Sequence, residues 1–218
     1  MKYKCLILDH DDTVVNSTAT IHYPSFIEYL KIYRPERVTE YTPESFIEKN
    51  FSPGIVSLFA DELSMNEDEM RCEQSFWEDY VRTRVPKSCE GIKEILEKFK
   101  AEGGIIAVSS HSMRDYIERD YKENSLPMPD EIFGWDLPKH LRKPATYTVE
   151  CLTEKYSLTP ADILMVDDLK PGFDMAHRAG IDFAAAGWAY NVPLIESFMR
   201  SHSKYYLKST EELYKILF

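Results

Sequence analysis

The sequence predicts an α/β protein, a doubly wound, Rossmann-like parallel sheet into which an α-helical domain is inserted. After residue 87, short apolar runs alternate with helix-like segments, and this alternation is typical of parallel strands joined by right-handed crossovers. Residues 17–86 carry only helical signals. We therefore expect a core domain of residues 1–16 and 87–218, and a helical domain of residues 17–86.

The strands are expected where apolar runs are short and uninterrupted, because a strand buried on both faces shows no alternation. The first such run ends abruptly at Asp9. Counted from the N-terminus, the expected strands are residues 3–8, 105–108, 132–133, 163–166 and 182–186.

Helices are expected between these strands and throughout the insert. In the insert, Thr42 followed by Pro43 is typical of a helix start, and Ser64 with Glu67 matches a capping box ahead of a second helix. In the core, helices are expected near residues 92–99, 112–121, 144–156, 172–179 and from 209 onward.

The charge balance argues against nucleic acid and membrane partners. The chain has 26 Lys and Arg against 37 Asp and Glu, a formal net charge of −11, and no basic run. The longest apolar runs, such as residues 105–108 and 183–187, are far shorter than the roughly 20 residues of a membrane span. The N-terminal segment lacks the features of a signal peptide, so we expect a cytoplasmic protein.

The four cysteines suggest neither a zinc site nor a disulfide framework. They are scattered through the chain without any pair at CxxC spacing. We expect them to be reduced and mostly buried. They are Cys5, Cys72, Cys89 and Cys151.

The most informative segment is the acidic turn after the first expected strand. Asp9 and Asp11 flank one residue, and Thr13 follows. A carboxylate at a strand end can act as a nucleophile, and its neighbour two residues on can transfer protons. Taken alone, however, the turn is equally compatible with a solvated loop or a helix cap.

Three later segments carry further polar groups. The strand ending at residue 108 is followed by Ser109 and Ser110, whose hydroxyls suit an anionic oxygen but are also common in turns. Lys143 precedes a proline and on its own would be a surface lysine. Asp167 and Asp168 directly follow the strand of residues 163–166, and their mutual repulsion favours a bound cation. Ser112 is expected to cap the helix that follows it.

In this order, the four segments resemble the motifs of the haloacid dehalogenase-like superfamily, namely a DxDxT turn, a strand-terminal Ser or Thr, a Lys and an acidic pair. The resemblance covers nearly the whole chain. The helical insert is similar to the cap domain of the phosphoglycolate phosphatase and β-phosphoglucomutase branch. The resemblance implies a Mg²⁺-dependent phosphatase with an α-helical cap.

The resemblance also implies a role for each residue. Asp9 would accept the phosphoryl group, and Asp11 would protonate the leaving group and later activate water. Ser109 would hydrogen-bond a phosphoryl oxygen, and Lys143 would offset negative charge. The residues expected to contact the phosphate are Asp9, His10, Ser109, Ser110 and Lys143. The residues expected to bind Mg²⁺ are Asp9, Asp11 through its backbone carbonyl, Asp167 and Asp168.

The sequence departs from the family pattern at two places. Asp12 stands where many relatives have Gly, and Asp tolerates the left-handed backbone of such a turn. In the last motif Asp167 takes a Gly position, and Gly172 takes the place of a second acid. We expect the adjacent Asp167 and Asp168 to substitute for that acid, although Asp174 could also reach the metal.

His10 and His111 are expected to face the mouth of the site. The mechanism implied by the resemblance needs no histidine, so a structural or substrate-adjacent role is the stronger alternative for both.

Three functions remain open from the sequence. A phosphatase acting on a small phosphorylated metabolite is favoured. A phosphomutase would share every catalytic residue, and a non-catalytic binding protein could use the same fold. Dehalogenation is disfavoured because dehalogenases replace the second aspartate of the turn, and Asp11 is present. The substrate cannot be identified from the sequence, and a monomer or weak homodimer is expected.

Overall fold

The computed structural model describes all residues from 1 to 218. The strands are β1 (Cys5–Leu8), β2 (Val15–Asn16), β3 (Lys87–Ser88), β4 (Ile105–Ser109), β5 (Glu131–Phe133), β6 (Ile163–Asp167), β7 (Asp182–Ala186) and β8 (Tyr205–Leu207). Six of them form one sheet in the order β5-β4-β1-β6-β7-β8, with every neighbouring pair parallel. The predicted doubly wound parallel sheet is confirmed.

Ten α-helices accompany the strands. They are α1 (Tyr23–Tyr33), α2 (Pro43–Phe51), α3 (Ile55–Ser57), α4 (Glu67–Arg82), α5 (Ile92–Ala101), α6 (Arg114–Glu123), α7 (Tyr147–Tyr156), α8 (Lys170–Ala179), α9 (Pro193–His202) and α10 (Thr210–Leu217). None of them combines the length and the apolar character that crossing a bilayer requires.

The sheet brings the ends of three strands together. β1 is wholly buried because it lies between β4 and β6, which explains its continuous apolar run. Leu8, the last residue of β1, is paired with Val108 of β4 and Val166 of β6. The residues that follow these three in the chain are Asp9, Ser109 and Asp167.

Chain contacts divide the protein into two compact units, residues 1–16 with 87–218 and residues 17–86. The first unit contains the sheet. Both chain connections to the second unit leave from a short antiparallel ladder of the first, in which β2 pairs with β3 and Asn16 lies opposite Lys87. The sequence showed no strand at residues 87–88, because a two-residue strand has no detectable periodicity.

The second unit is helical, with a core formed largely by aromatic and aliphatic residues of α1 and its neighbours. Thr42 caps α2 as predicted. The predicted capping box of Ser64 and Glu67 is wrong. Asn66 caps α4 instead, with Glu69 as its reciprocal partner, and Ser64 adopts a left-handed backbone with φ of 50°.

Candidate active site

A group of acidic side chains gathers at the carboxyl edge of the sheet. The backbone N–H of Asp9 donates to the carbonyl of Val166 at 2.9 Å, which extends the β1–β6 ladder by one residue. Asp9 therefore lies beside Asp167, the last residue of β6, and Asp168 follows directly. All three carboxylates are buried. This is the edge at which parallel α/β sheets bind their ligands.

Lys143 joins two of these carboxylates. It lies in the segment before α7, and its Nζ donates to Oδ1 of Asp9 at 2.9 Å and to Oδ2 of Asp167 at 2.6 Å. Burial alone would lower the pKa of Lys143, but the charges of Asp167 and Asp9 outweigh that effect and raise it. Lys143 is therefore a fixed positive charge beside Asp9.

The carboxylates of Asp9, Asp167 and Asp168 have the geometry of a cation site. Each offers an oxygen atom, and these oxygens all lie within 4.8 Å of one another. Three carboxylates and the Lys143 ammonium leave two excess negative charges, which one divalent cation would balance. Oxygen donors are the ligands that Mg²⁺ prefers, so the residues fit the expected metal.

The pKa values of the acidic pair reflect this crowding. Burial raises the pKa of Asp167 to about 7, against the lowering effect of Lys143. Burial and the neighbouring charges of Asp167 and Asp9 raise the pKa of Asp168 well above its usual value. A cation at this place would favour the ionised form of both.

Asp168 is oriented by two hydroxyl groups, that of Thr13, which belongs to the DxDxT turn, and that of Tyr190, which the sequence did not point out. Thr13 Oγ1 donates to Oδ1 of Asp168 at 3.3 Å, and the Tyr190 hydroxyl donates to Oδ2. Tyr190 follows β7, a strand whose carboxyl end lies at the same edge. The rule that ligands bind at this edge points to the segment after β7, but it does not single out Tyr190 within that segment.

Asp11 is partly exposed and accepts a hydrogen bond from Ser112 Oγ at 2.6 Å. The prediction that Ser112 caps a helix is wrong, because Met113 is the residue before α6 and no side chain caps that helix. The hydroxyl of Ser112 is used by Asp11 instead.

Ser109, the last residue of β4, and Ser110, which follows it, are both buried. Ser109 Oγ lies 3.2 Å from Thr148 Oγ1, and Ser110 Oγ accepts the backbone N–H of Ser112 at 3.1 Å. Ser109 therefore stands at the strand end beside Asp9, as the sequence suggested, while its predicted contact with phosphate stays a prediction.

The two histidines differ in their surroundings. His10 does not face the mouth of the site, because it is only 1% exposed and its Nε2 lies 3.1 Å from Oδ2 of Asp120 on α6. His111 Nε2 lies 3.2 Å from the carbonyl of Lys143. Burial and the nearby Lys143 charge lower the pKa of His111 to about 4, so its imidazole is neutral at physiological pH.

The departures from the family pattern have clear positions in the structure. Asp12 has φ of 56°, the left-handed conformation for which many relatives use Gly. A Cβ at Gly172 would overlap the Asp167 carboxylate. Asp174 is paired with Lys170 on α8 at 2.7 Å and does not belong to the acidic group of Asp9, Asp167 and Asp168.

Comparison with known proteins gives a family and a fold. Residues 6–186 match the family model described as haloacid dehalogenase-like hydrolase. A predicted phosphoglycolate phosphatase of Haemophilus somnus has a TM-score of 0.76 at 22% identity, over 99% of this chain and 98% of that one. A haloacid dehalogenase-like family hydrolase of Streptococcus pneumoniae has a TM-score of 0.78 at 17% identity, over 100% and 99%. None of the curated protein sequences matches significantly.

Proposed function

Since the chain belongs to the haloacid dehalogenase-like hydrolases, as its sequence predicted, we propose that it is a Mg²⁺-dependent phosphatase. Its substrate is a small phosphorylated metabolite, hydrolysed through an aspartyl-phosphate intermediate on Asp9. The observation that carries the proposal is the contact of Lys143 with both Asp9 and Asp167.

This contact supports phosphoryl chemistry for an electrostatic reason. A phosphate dianion is repelled by buried carboxylates unless positive charge lies beside them. Lys143 supplies one such charge within 3 Å of the Asp9 oxygen, and phosphoryl transfer depends chiefly on positioning and charge stabilisation. When bound, Mg²⁺ would neutralise charge on carboxylate and phosphate; Asp9, Asp167, Asp168 and the backbone carbonyl of Asp11 would hold it.

The reaction then divides between the two acids of the turn. Asp9 attacks phosphorus while Asp11 gives its proton to the leaving alkoxide. In the second half Asp11 takes a proton from water, and the water oxygen attacks the phosphorus bound to Asp9, which releases phosphate, frees the Asp9 carboxylate and returns Asp11 to its protonated form. Ser109, Ser110 and Lys143 bind phosphoryl oxygens. Contact of His10 with the phosphate stays a prediction, since its side chain lies against Asp120.

The helical unit of residues 17–86 is proposed to act as a cap that selects the leaving group. Its helical character and its insertion directly after the DxDxT turn support this role, as does the similarity to a predicted phosphoglycolate phosphatase. We keep a cytoplasmic location and a monomer or weak homodimer as predictions, with neither nucleic acid nor membrane as a partner.

The test is phosphate release from a panel of phosphorylated sugars, glycolate, nucleotides and amino acids, with and without EDTA. We expect release from at least one small substrate, its loss with EDTA and its return with Mg²⁺. Interconversion of sugar phosphates without phosphate release would identify a phosphomutase instead. The absence of both activities at any Mg²⁺ concentration would overturn the proposal.

A further inference from the structure

The buried hydroxyl of Ser112 donates a hydrogen bond to Asp11, the partly exposed second aspartate of the turn. Ser112 Oγ donates to Oδ2 of Asp11 at 2.6 Å, and Ser112 itself is only 4% exposed. A hydrogen bond from a hydroxyl to a carboxylate at this distance is short and charge-assisted. The loop after β4 thus holds the side chain to which the proposed function assigns proton transfer.

The position of this hydroxyl does not depend on Asp11. The backbone N–H of Ser112 donates to Ser110 Oγ at 3.1 Å, and its carbonyl accepts the N–H of Trp135 at 2.8 Å. Gly134 packs so closely that a Cβ there would lie 2.9 Å from the Ser112 carbonyl oxygen. The backbone of Ser112 is therefore held at both its N–H and its carbonyl, as a residue that orients another should be.

We propose that Ser112 is a positioning residue that sets the orientation of Asp11 for protonation of the leaving group. The inference rests on the proposed function, in which Asp11 is the general acid. The bond restricts the rotamers that are open to this partly exposed aspartate side chain. Oδ2 of Asp11 accepts the hydrogen bond from Ser112, so the proton passes to the leaving group from Oδ1 of Asp11.

The consequence differs between two kinds of substrate. An alkyl phosphate has a poor leaving group and depends on the proton of Asp11, whereas 4-nitrophenyl phosphate releases 4-nitrophenolate, a stable anion that needs no proton. The measured quantity is kcat/KM, because it reports the steps up to departure of the leaving group and excludes the later attack of water. A merely structural role of Ser112 would lower both values alike.

The experiment compares Ser112→Ala with the wild-type protein on glycerol 2-phosphate, or the best alkyl substrate of the panel, and on 4-nitrophenyl phosphate. We expect kcat/KM to fall about 10- to 100-fold on the alkyl substrate, part of the roughly 10²- to 10⁴-fold contribution of a general acid, and by less than about 3-fold on the aryl one. Ser112→Thr keeps a hydroxyl and should recover most of the loss. Ser201→Ala, on the exposed surface of α9, is the control.

A double-mutant cycle gives the second readout. In an Asp11→Asn background, Ser112→Ala should cause no further loss on the alkyl substrate, because the group it orients no longer donates a proton. If Ser112→Ala does not fold, Ser112→Cys, with nearly the same shape and a weak donor, replaces it.

Equal losses on both substrates, or additive losses in the cycle, would overturn the role of Ser112 while leaving the phosphatase proposal intact. A wild-type protein that releases no phosphate from any substrate would instead remove the proposed function itself.

Discussion

The hydroxyl of Tyr190 donates to Oδ2 of Asp168 at 2.8 Å and also lies 3.1 Å from the carbonyl oxygen of the same residue. Burial and the charge of Asp168 raise the pKa of Tyr190 well above its usual value, so the hydroxyl stays protonated and remains a donor at physiological pH. Trp188, two residues earlier, donates its indole N–H to the Thr13 carbonyl at 3.2 Å. The segment after β7 therefore supports both the DxDxT turn and the acidic pair.

Tyr190→Phe should weaken metal binding. Partners that orient a ligand through hydrogen bonds typically contribute about 10- to 100-fold to metal affinity, and we expect a loss in that range. Calorimetric titration with Mg²⁺, or Mn²⁺ binding followed by electron paramagnetic resonance, measures it without turnover. Tyr206→Phe, on β8 with its ring against Gly187, is the matched control. Equal affinities in the two variants would contradict the orienting role.

Asp9→Asn should abolish turnover while the protein stays folded. The amide is nearly isosteric with the carboxylate but cannot attack phosphorus, and loss of a covalent nucleophile costs on the order of 10⁵-fold or more. Steady-state phosphate release measures turnover, and thermal unfolding verifies that the variant stays folded. Asp174→Asn, which alters an aspartate paired with Lys170, should keep most activity. More than a few per cent of wild-type turnover in Asp9→Asn would show that Asp9 is not the nucleophile.

Asp168→Ala should impair metal binding far more than Asp174→Ala. Asp168 contributes an oxygen to the acidic group, whereas Asp174 is neutralised by Lys170. Removal of a direct ligand should raise the Mg²⁺ dissociation constant by more than about 100-fold, exceeding the effect of an indirect partner. Titration of both variants with Mg²⁺ checks the difference. The reverse order would mean that the last motif uses Asp174.

Glu73→Gln should stabilise the protein at pH 8 but not at pH 4. Burial within the helical unit raises the pKa of Glu73 from 4.5 to about 7. The unfolded chain therefore releases this proton more easily, so stability is fully present below pH 4.5 and is lost as the pH rises through about 7. At about 1.4 kcal/mol for each unit of pKa difference, the loss amounts to at most about 3.5 kcal/mol.

Thermal unfolding of Glu73→Gln and wild type at several pH values measures this effect. Glu67→Gln, on the same helix with a side chain that is 95% exposed, is the control and should show no such pH dependence. A Glu73→Gln advantage that is the same at pH 4 and pH 8 would exclude titration of Glu73 as its cause.

Replacement of residues 18–86 by a short flexible linker should impair substrate selection much more than phosphoryl transfer itself. The β2–β3 ladder already places Asn16 opposite Lys87, so a short turn can close it. We expect kcat/KM for the best small substrate to fall about 10- to 100-fold, with a broader substrate range, and 4-nitrophenyl phosphate to be affected much less. Circular dichroism verifies folding. Equal losses on both substrates would show that the helical unit serves stability.

The strands of the main sheet could be predicted wherever burial on both faces produces an uninterrupted apolar run in the sequence. The strand from Cys5 to Leu8 is buried on both faces and appears as a pure apolar run. β8 was missed because Tyr205–Leu207 is a three-residue edge strand among polar residues. The cap of α4 was misplaced because two overlapping four-residue segments, one starting at Ser64 and one at Asn66, both fit the capping pattern, and only backbone geometry decides between them.

The candidate site also contains residues that could be predicted from the sequence and residues that could not. Asp9 and Asp167 lie at the ends of strands that meet at one edge of a parallel sheet, so their proximity followed from the predicted topology. Lys143 lies in the segment before α7, 134 residues from Asp9 in the chain, and was predicted only through the family resemblance. Ser112 and Tyr190 could not be singled out, because serine and tyrosine are common near strand ends. Only their hydrogen bonds to Asp11 and Asp168 distinguish them.

The close packing of Gly172 against Asp167 constrains how this motif can evolve. The carboxylate of Asp167 occupies the space that any side chain at residue 172 would need. Gly172→Asp alone introduces a clash and another buried negative charge, and Asp167→Gly alone leaves Lys143 with one partner fewer. Made together, the two substitutions move the acid from the strand to the helix. The strand-borne and helix-borne forms of the motif are therefore separated by two steps that are each harmful alone, so a lineage that has adopted one form tends to keep it.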